Sequence, residues 1–559
     1  MSSLVLSDVA YAFPDDTPLF TGLDLAVGPG LTSVVGRNGA GKSTLMRVIA
    51  GELTPSRGSI TVDGEPARPP TVAYLPQLLV DVHDERTLAD ELGVAGRLAA
   101  LAKIEAGEGD DDDFTCIGDD WSVAERAVAL LHELGLPTEL TRPVGALSGG
   151  ERTLAAVAGR LLGQPRVLLL DEPTNNLDQL ARARLFAALD GFVSGGRRIA
   201  VVVSHDLDLL ERVGTTVELR SGRCRVFGGP YSLYRDVIDS EQSAALQALS
   251  GARNELRAEK RDRVEATEKA SRRAAQGRRV QAAGGMPKIL VNARRTSAQE
   301  SAGRLRAVHE HGVDRARERM READAAVRGE ERLRIPMPDP GLPAGRIVVD
   351  AHDPVAGRIH LAGPTRVRLA GPNGSGKTTL LRRLFGGGEA GCGTRADRDR
   401  TADGADDGAA VRPDNEGADD DGPDDDRAIH VPWALLPQDL RVEQPEWSVV
   451  DAIRAVRPDA DPEQVHAHAA RMLFTGDAGF RRLAELSGGE RLRAALAARL
   501  FAQPVPQLLV LDEPTNNVDL AGVEVLAEAL AQWRGALLLV SHDDGFCDRV
   551  GVDDVIRLG

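Results

Sequence analysis

The sequence predicts an α/β chain: two tandem P-loop domains joined by a long antiparallel α-helical hairpin linker. Three observations predict it. One ordered set of motifs occurs twice. Short continuous apolar runs lead into those motifs, as buried parallel strands do. The stretch between the two copies is charged, with narrow apolar seams at helical spacing. The first copy reads Gly36-Arg-Asn-Gly-Ala-Gly-Lys42-Ser43, then Gln77, Leu147-Ser-Gly-Gly-Glu151, Leu170-Asp171-Glu172-Pro and Ser204-His205-Asp206. The second reads Gly371-Pro-Asn-Gly-Ser-Gly-Lys377-Thr378, then Gln438, Leu486-Ser-Gly-Gly-Glu490, Leu511-Asp512-Glu513-Pro and Ser541-His542-Asp543.

In chain order, residues 1–238 are expected to form the first domain. Leu4–Leu6 opens it, Leu31–Val35 leads into the phosphate loop, and a helix starts at Lys42. Val167–Leu170 and Ile199–Val203 are strand-length apolar runs that suit the middle of a parallel sheet. Residues 239–336 are the expected linker. Ala245, Leu249, Ala252 and Leu256 form one seam, and Val313, Ala316, Met320, Ala323 and Val327 form another. Gly284-Gly-Met-Pro287 interrupts the pattern as a hairpin tip would, so the tip is placed near 283–297. Two helices of about 40 residues would each reach about 60 Å. Residues 337–559 are the expected second domain, in which Val367–Ala370, Leu508–Leu511 and Leu537–Val540 repeat the strands of the first. From Lys42 to Gln77 is 35 residues, but from Lys377 to Gln438 is 61. The excess falls on an acidic, Gly- and Ala-rich stretch at about 389–426, whose composition predicts a disordered surface insertion.

The repeated motifs carry phosphate chemistry. Gly36, Gly39 and Gly41 in the first loop, and Gly371, Gly374 and Gly376 in the second, let the backbone turn its N–H groups toward phosphates. Asn38 and Asn373 lie within the same loops. Lys42 and Lys377 neutralise β and γ oxygens, and Ser43 and Thr378 are Mg²⁺ ligands, with Thr44 and Thr379 next in the helix that faces the anion. Asp171 and Asp512 close apolar strands, where an α/β sheet places ligands, and with Gln77 and Gln438 complete the expected metal set. Glu172 and Glu513 follow as candidates to polarise the attacking water, with His205 and His542 as γ-phosphate contacts. ATP and Mg²⁺ are thus the expected substrate and cofactor, and both glutamates predict a hydrolysing site. Tyr11 is the candidate for stacking on adenine; the second copy offers only His352 nearby.

Composition narrows the partners. The net charge is −17, which argues against nucleic acid until its distribution is read. Residues 403–426 hold eleven acidic residues against Arg412 alone, whereas 271–306 hold nine Lys or Arg against Glu300 alone. Screening confines each segment's field to about 8–10 Å, so the basic stretch acts on its own surroundings. Arg272, Arg273, Arg278, Arg279, Lys288, Arg294 and Arg295 are the candidate RNA contacts. They lack interleaved aromatics, which favours backbone and shape recognition over base reading. There is no 18-residue apolar run, no signal-peptide pattern at the start, and no Cys-x-x-Cys among Cys116, Cys224, Cys392 and Cys547. A cytoplasmic setting without a membrane span is expected.

These motifs resemble the ATP-binding cassette superfamily, whose signature is Leu-Ser-Gly-Gly-Glu or Gln. The resemblance implies a monomer whose two cassettes pair head-to-tail within the chain. Ser487, Gly488 and Gly489 would then cover ATP on Lys42, and Ser148, Gly149 and Gly150 the ATP on Lys377. Asp-Glu-Pro-Thr-Asn-Asn-Leu-Asp178, Asp-Glu-Pro-Thr-Asn-Asn-Val-Asp519, Gly228-Gly-Pro-Tyr231-Ser-Leu-Tyr234 and the basic linker make it similar to the F family of ribosome-associated cassette ATPases. That family implies a ribosomal partner, with the hairpin in the E site near P-site tRNA and rRNA, and either antibiotic resistance or rescue of stalled translation. Asn176 and Asn517 stand where the family often has histidine, and the 71 residues from Gln77 to Ser148 are short for the arm subdomain of some members. The alternative is a fused ATPase subunit working with separate membrane proteins, which the long linker disfavours.

Overall fold

The computed structural model describes residues 3–77, 85–175, 177–282, 288–327, 335, 337–354, 356–372, 374–386, 392–393, 428–438, 444–486, 488–516, 518 and 520–558; the side chains of 274, 277–278, 280–282, 288–303, 305–306, 392–393 and 521 are not described. Of the expected acidic insertion at about 389–426 only Cys392–Gly393 are described, and they form a two-residue strand. Of the expected hairpin tip at 283–297, residues 283–287 lie outside the described residues, whereas 288–297 belong to a helix, so the helical pattern resumes sooner than expected. The chain divides into two compact units, Met1–Tyr231 with Leu333–Gly559, and Ser232–Arg332.

The strands of the first domain are β1 (Leu4–Ala12), β2 (Pro18–Val27), β3 (Gly30–Val35), β4 (Arg57–Val62), β5 (Glu65–Pro66), β6 (Val72–Leu75), β7 (Val167–Asp171), β8 (Ile199–Val203), β9 (Thr215–Arg220) and β10 (Arg223–Gly228). Those of the second are β11 (Ile347–Asp353), β12 (Gly357–Ala362), β13 (Arg366–Ala370), β14 (Cys392–Gly393), β15 (Trp433–Leu436), β16 (Leu508–Asp512), β17 (Ala536–Val540) and β18 (Asp554–Arg557). The main sheets run β10-β9-β3-β8-β7-β6 and β14-β15-β16-β17-β13-β18. Their shared parallel core is β9-β3-β8-β7-β6 in one and β18-β13-β17-β16-β15 in the other. The sequence repeat is therefore a structural repeat.

All five residues of β7, β8, β16 and β17 are buried, because helices or a second sheet cover both faces. Alternation sorts the side chains. Leu168, Leu170, Ala200 and Val202 pack with the helices Gly149–Leu162 and Gln179–Val193, whereas Val167, Leu169, Ile199 and Val201 pack with the helix Lys42–Ile49 and the β1–β2–β4 sheet. With a core on each side, the strand ends cannot shift, and the motif residues at those ends are held in place.

The short span before Ser148 contains more than expected. A helix pair, Ala95–Glu105 and Asp111–Ile117, occupies it, with Lys103 bonded to Asp113 at 3.0 Å. In the second domain the described residues between Gln438 and Gly488 hold the helices Val449–Val456 and Pro462–Arg471.

The second unit is a helix pair. Its first helix is Tyr231–Ala282, 52 residues, and its second is Lys288–Ala326, 39 residues. The first starts at Tyr231, earlier than the expected boundary of 239, because Pro230 ends the strand segment and helix follows at once. At 1.5 Å per residue it reaches about 78 Å, longer than expected. Arg253 pairs with Asp324 at 3.6 Å and Arg319 with Glu255 at 2.9 Å, so the helices run antiparallel. Leu256, Val313 and Ala316 bury the seam with Met320 against them.

Candidate active sites

Each phosphate loop joins a central strand, β3 or β13, to a helix, Lys42–Ile49 or Lys377–Phe385. A Cβ on Gly36 would meet the Leu219 carbonyl oxygen at 2.4 Å, and one on Gly371 the Leu558 carbonyl oxygen at 2.5 Å. Only glycine lets these loops pass so close to the neighbouring strand. Gly41 (φ 96°) and Gly376 (φ 88°) cap their helices in the left-handed region. Gly39 (φ 81°) and Gly374 (φ 82°) turn the middle of each loop in that same region, so here glycine answers to backbone conformation and not to crowding: a Cβ on either would meet nothing within 4 Å. The lysines fold back over the loops: Lys42 Nζ donates to the carbonyls of Gly36 (2.7 Å) and Arg37 (3.2 Å), and Lys377 Nζ to those of Gly371 (2.6 Å) and Pro372 (3.0 Å). Each ammonium is thereby aimed at the loop's concave side.

The loop in the first domain opens on a cavity of 380 Å³. Asn38, Gly39, Gly41, Lys42, Ser43, Thr44, Gln77, Asp171, Glu172 and His205 line it, so most of the sequence-derived first site converges there. Gly371, Gly374, Gly376, Lys377, Thr378 and Thr379 do not line that cavity; they form the second domain's own loop and the start of its helix. There Thr378 Oγ1 donates to Asp512 Oδ2 at 3.0 Å. A hydroxyl beside a buried carboxylate (Asp512 is 4% exposed) is a hard-oxygen donor set that fits Mg²⁺. Burial raises the pKa of both Asp171 and Asp512, while the hydroxyls of Ser43 and Thr378 and the lysines Lys42 and Lys377 oppose that rise. Gln438 is exposed two residues beyond β15.

The two glutamates share an unusual backbone. Glu172 has φ 52° and Glu513 has φ 47°, a region that non-glycine residues rarely occupy. The amides of Glu172 and Glu513 donate to the carbonyls of Val203 and Val540, both at 2.8 Å. This bond to the adjacent strand holds the strained turn and points each side chain at a histidine. His205 Nε2 lies 3.2 Å from Glu172 Oε1, and His542 Nε2 lies 3.2 Å from Glu513 Oε1. Burial pushes the Glu513 carboxyl up to about 7 and raises that of Glu172. Burial, aided by Lys377 and Arg182, takes His542 down to about 4. At neutral pH His542 is therefore a neutral imidazole, and its contact with Glu513 is not an ion pair. A buried carboxylate of raised pKa beside an electrophile-binding loop is a suitable general base.

Several residues carry no signal that singles them out in the sequence. Phe13, two residues beyond Tyr11, lines the cavity and is 40% exposed. Tyr11 does not line it; it packs partly buried against the core and touches Phe13 edge-on at 5.8 Å. The sequence expectation thus misses the cavity aromatic by two residues, since strand and loop aromatics look alike in sequence. His352 is exposed on β11. Phe13→Ala is expected to weaken ATP binding about 5- to 50-fold by equilibrium titration, and Tyr11→Phe to leave it within about 2-fold.

Asn175 and Thr515 also line the cavity, and Thr515 comes from the other domain. Gly488 and Gly489 do not line it, and Ser487, Asn373, Asn176 and Asn517 lie outside the described residues. Ser148 caps its own helix, which begins at Gly149 and Gly150: its Oγ accepts from Glu151 N, and Glu151 Oε2 accepts from Ser148 N at 2.8 Å. The domains meet instead through the segments after the glutamates and histidines. Arg182 Nη1 donates to the His542 carbonyl at 3.2 Å, and Gln179 Nε2 to Asp544 Oδ2 at 3.4 Å.

Of the candidate RNA contacts, Arg272, Arg273 and Arg279 are exposed, and Arg272 pairs with Glu268 at 3.6 Å. Arg278, Lys288, Arg294 and Arg295 lie on the two helices, but their side chains are outside the described residues.

The family model described as "ABC transporter" matches residues 20–175 and 359–516. The chain is 33% identical over 571 residues to the tylosin resistance ATP-binding protein TlrC of Streptomyces fradiae, covering 95% of this chain and 92% of that protein. It is 29% identical to the ATP-binding protein Uup of Haemophilus influenzae (96% of this chain, 76% of that protein) and 31% identical to Uup of Caulobacter vibrioides (98% and 76%). No described helix is long and apolar enough to cross a membrane.

Proposed function

The chain belongs to the ATP-binding cassette family, in its F branch, and from that premise we propose that this tandem ATPase acts on the ribosome. The observation that carries the reading is the linker. Two antiparallel helices of 52 and 39 residues bring a basic stretch, nine Lys or Arg against Glu300 alone over 271–306, to the end of a long hairpin. Such a device suits a narrow, phosphate-lined channel, where each neutralised phosphate releases counterions. On this reading the hairpin enters the E site toward P-site tRNA and rRNA. ATP binding closes the cassettes with the signature segments Ser148–Gly150 and Ser487–Gly489 over the nucleotides, and hydrolysis releases the protein from the ribosome.

Within each site, Lys42 and Lys377 hold the β and γ oxygens, Glu172 and Glu513 take a proton from the attacking water, and His205 and His542 contact the γ-phosphate. Ser43, Gln77 and Asp171, or Thr378, Gln438 and Asp512, would hold Mg²⁺, which when bound neutralises phosphate charge. Protection from a ribosome-targeting drug is the favoured outcome, supported by the similarity to a protein named for tylosin resistance.

The test is co-sedimentation of the Glu172→Gln/Glu513→Gln variant with 70S ribosomes, with and without ATP. ATP-dependent recovery in the ribosome pellet is expected. Absence of recovery, with ATP binding intact, would overturn the ribosomal reading. Unchanged inhibitory concentrations of macrolides, lincosamides and pleuromutilins on expression would remove the drug-protection part alone.

A further inference from the structure

The two ATP sites are near copies, but an arginine that joins their histidine segments stands in one copy of the repeat and not at the matching position of the other. Arg182, on the helix Gln179–Val193 of the first domain, is 17% exposed. Its Nη1 lies 3.2 Å from Asp206 Oδ2, in the Ser-His-Asp segment of its own domain, and donates to the His542 carbonyl of the other at 3.2 Å. A single nitrogen thus joins the two histidine segments.

Asp206 is only 4% exposed, and its Oδ1 accepts from Leu209 N at 3.2 Å, capping the short helix Leu207–Leu210. Across the boundary, Arg368 holds the His542 segment from behind, with Nε donating to the Ser541 carbonyl at 3.0 Å and Nη1 to Asp544 Oδ1 at 2.5 Å. Asp544 also accepts from Gln179.

The residues of this network are not repeated at the matching sequence positions. Counting from each catalytic-position glutamate, Val523 stands where Arg182 does, and Leu520 where Gln179 does. Leu207 replaces Asp544, and Ser33 replaces Arg368. Val523 is buried in the second domain's own core.

We infer that Arg182 is a positioning residue that couples the two sites, linking the first domain's Asp206 to the His542–Glu513 pair of the second. The link reaches the histidine through its backbone. A shift of the Asp206 segment moves Arg182 and with it the peptide that carries His542, and a shift of that peptide acts back on Asp206 by the same link.

The experiment uses the full chain carrying Glu172→Gln, so that hydrolysis comes from the Glu513 site, and reads single-turnover cleavage of prebound ATP. Arg182→Met and Asp206→Asn are each expected to slow cleavage about 5- to 10-fold. ATP affinity should stay within about 2-fold, and the double variant should be no slower than either alone, because both break one link. Arg182→Lys, whose ammonium can also bridge a carboxylate and a carbonyl, should keep the rate within about 2-fold.

Multiplying effects, or no effect of Asp206→Asn, would overturn the coupling. An equal loss in Arg182→Lys and Arg182→Met would assign Arg182 to packing alone. The inference rests on Glu513 as the hydrolytic residue. If Glu172→Gln/Glu513→Gln still cleaves ATP, that assignment has failed instead.

Discussion

Glu172→Gln/Glu513→Gln is expected to lower ATP hydrolysis at least about 10²- to 10³-fold, with ATP affinity changed by less than a few fold. Glutamine keeps the size and the place beside the neighbouring histidine but cannot accept a proton from water. The strained backbone at both positions (φ 52° and 47°) and the amide bonds to Val203 and Val540 are independent of the side-chain charge, so the turn persists. A steady-state phosphate-release assay beside nucleotide titration separates the two quantities, and residual cleavage above about a tenth would show that another group activates water.

The same substitution has a stability signature. The Glu513 carboxyl has an ordinary value of 4.5 and is raised to about 7 by burial. The folded protein therefore binds its proton more tightly than the unfolded chain does, and this contribution to stability is present below 4.5 and lost as pH rises through 7. Glu513→Gln removes the cost of the buried charge. Its thermal midpoint should exceed that of the unmodified chain by more at pH 8 than at pH 5, and the rate of the Glu513 site should fall below about pH 7. A gain independent of pH would mean that charge burial is not what the site stores.

Replacing Arg272, Arg273, Arg278, Arg279, Lys288, Arg294 and Arg295 by Gln is expected to abolish ATP-dependent ribosome binding at physiological salt. Each phosphate contact contributes about 0.7–0.9 to the slope of log affinity against log salt, so losing seven cations flattens that slope by up to about six. Glutamine preserves helix propensity, and the buried seam of Leu256, Val313 and Ala316 is untouched, so the hairpin should keep its helical signal. Basal ATP hydrolysis should stay within about 2-fold. An unchanged salt slope would assign these cations to solvent and move the ribosomal contact elsewhere on the chain.

Legibility followed the physics of each element. The parallel strands were readable because a strand buried on both faces must be apolar throughout, as Val167–Leu170 and Ile199–Val203 are. The phosphate loops were readable because glycine is the residue that tolerates the approach at Gly36, the open left-handed turn at Gly374 and the left-handed caps at Gly41 and Gly376. The hairpin seams were readable from helical spacing alone, although the length of the first helix was not, since its apolar seam begins only beyond the start that Pro230 sets at Tyr231.

The sequence by itself therefore determined the repeat, the α/β class, the motif residues at the strand ends and the segregation of charge. Each of these depends on local periodicity or on a backbone that few residues can adopt. The tertiary structure decided which aromatic faces the cavity, Phe13 over Tyr11, and that Thr515 of one domain lines the site of the other. It also revealed the strain at Glu172 and Glu513 and the bridge from Asp206 through Arg182 to His542. Those features join residues far apart in the chain, and their chemistry depends on burial, which only the packing of the two domains supplies.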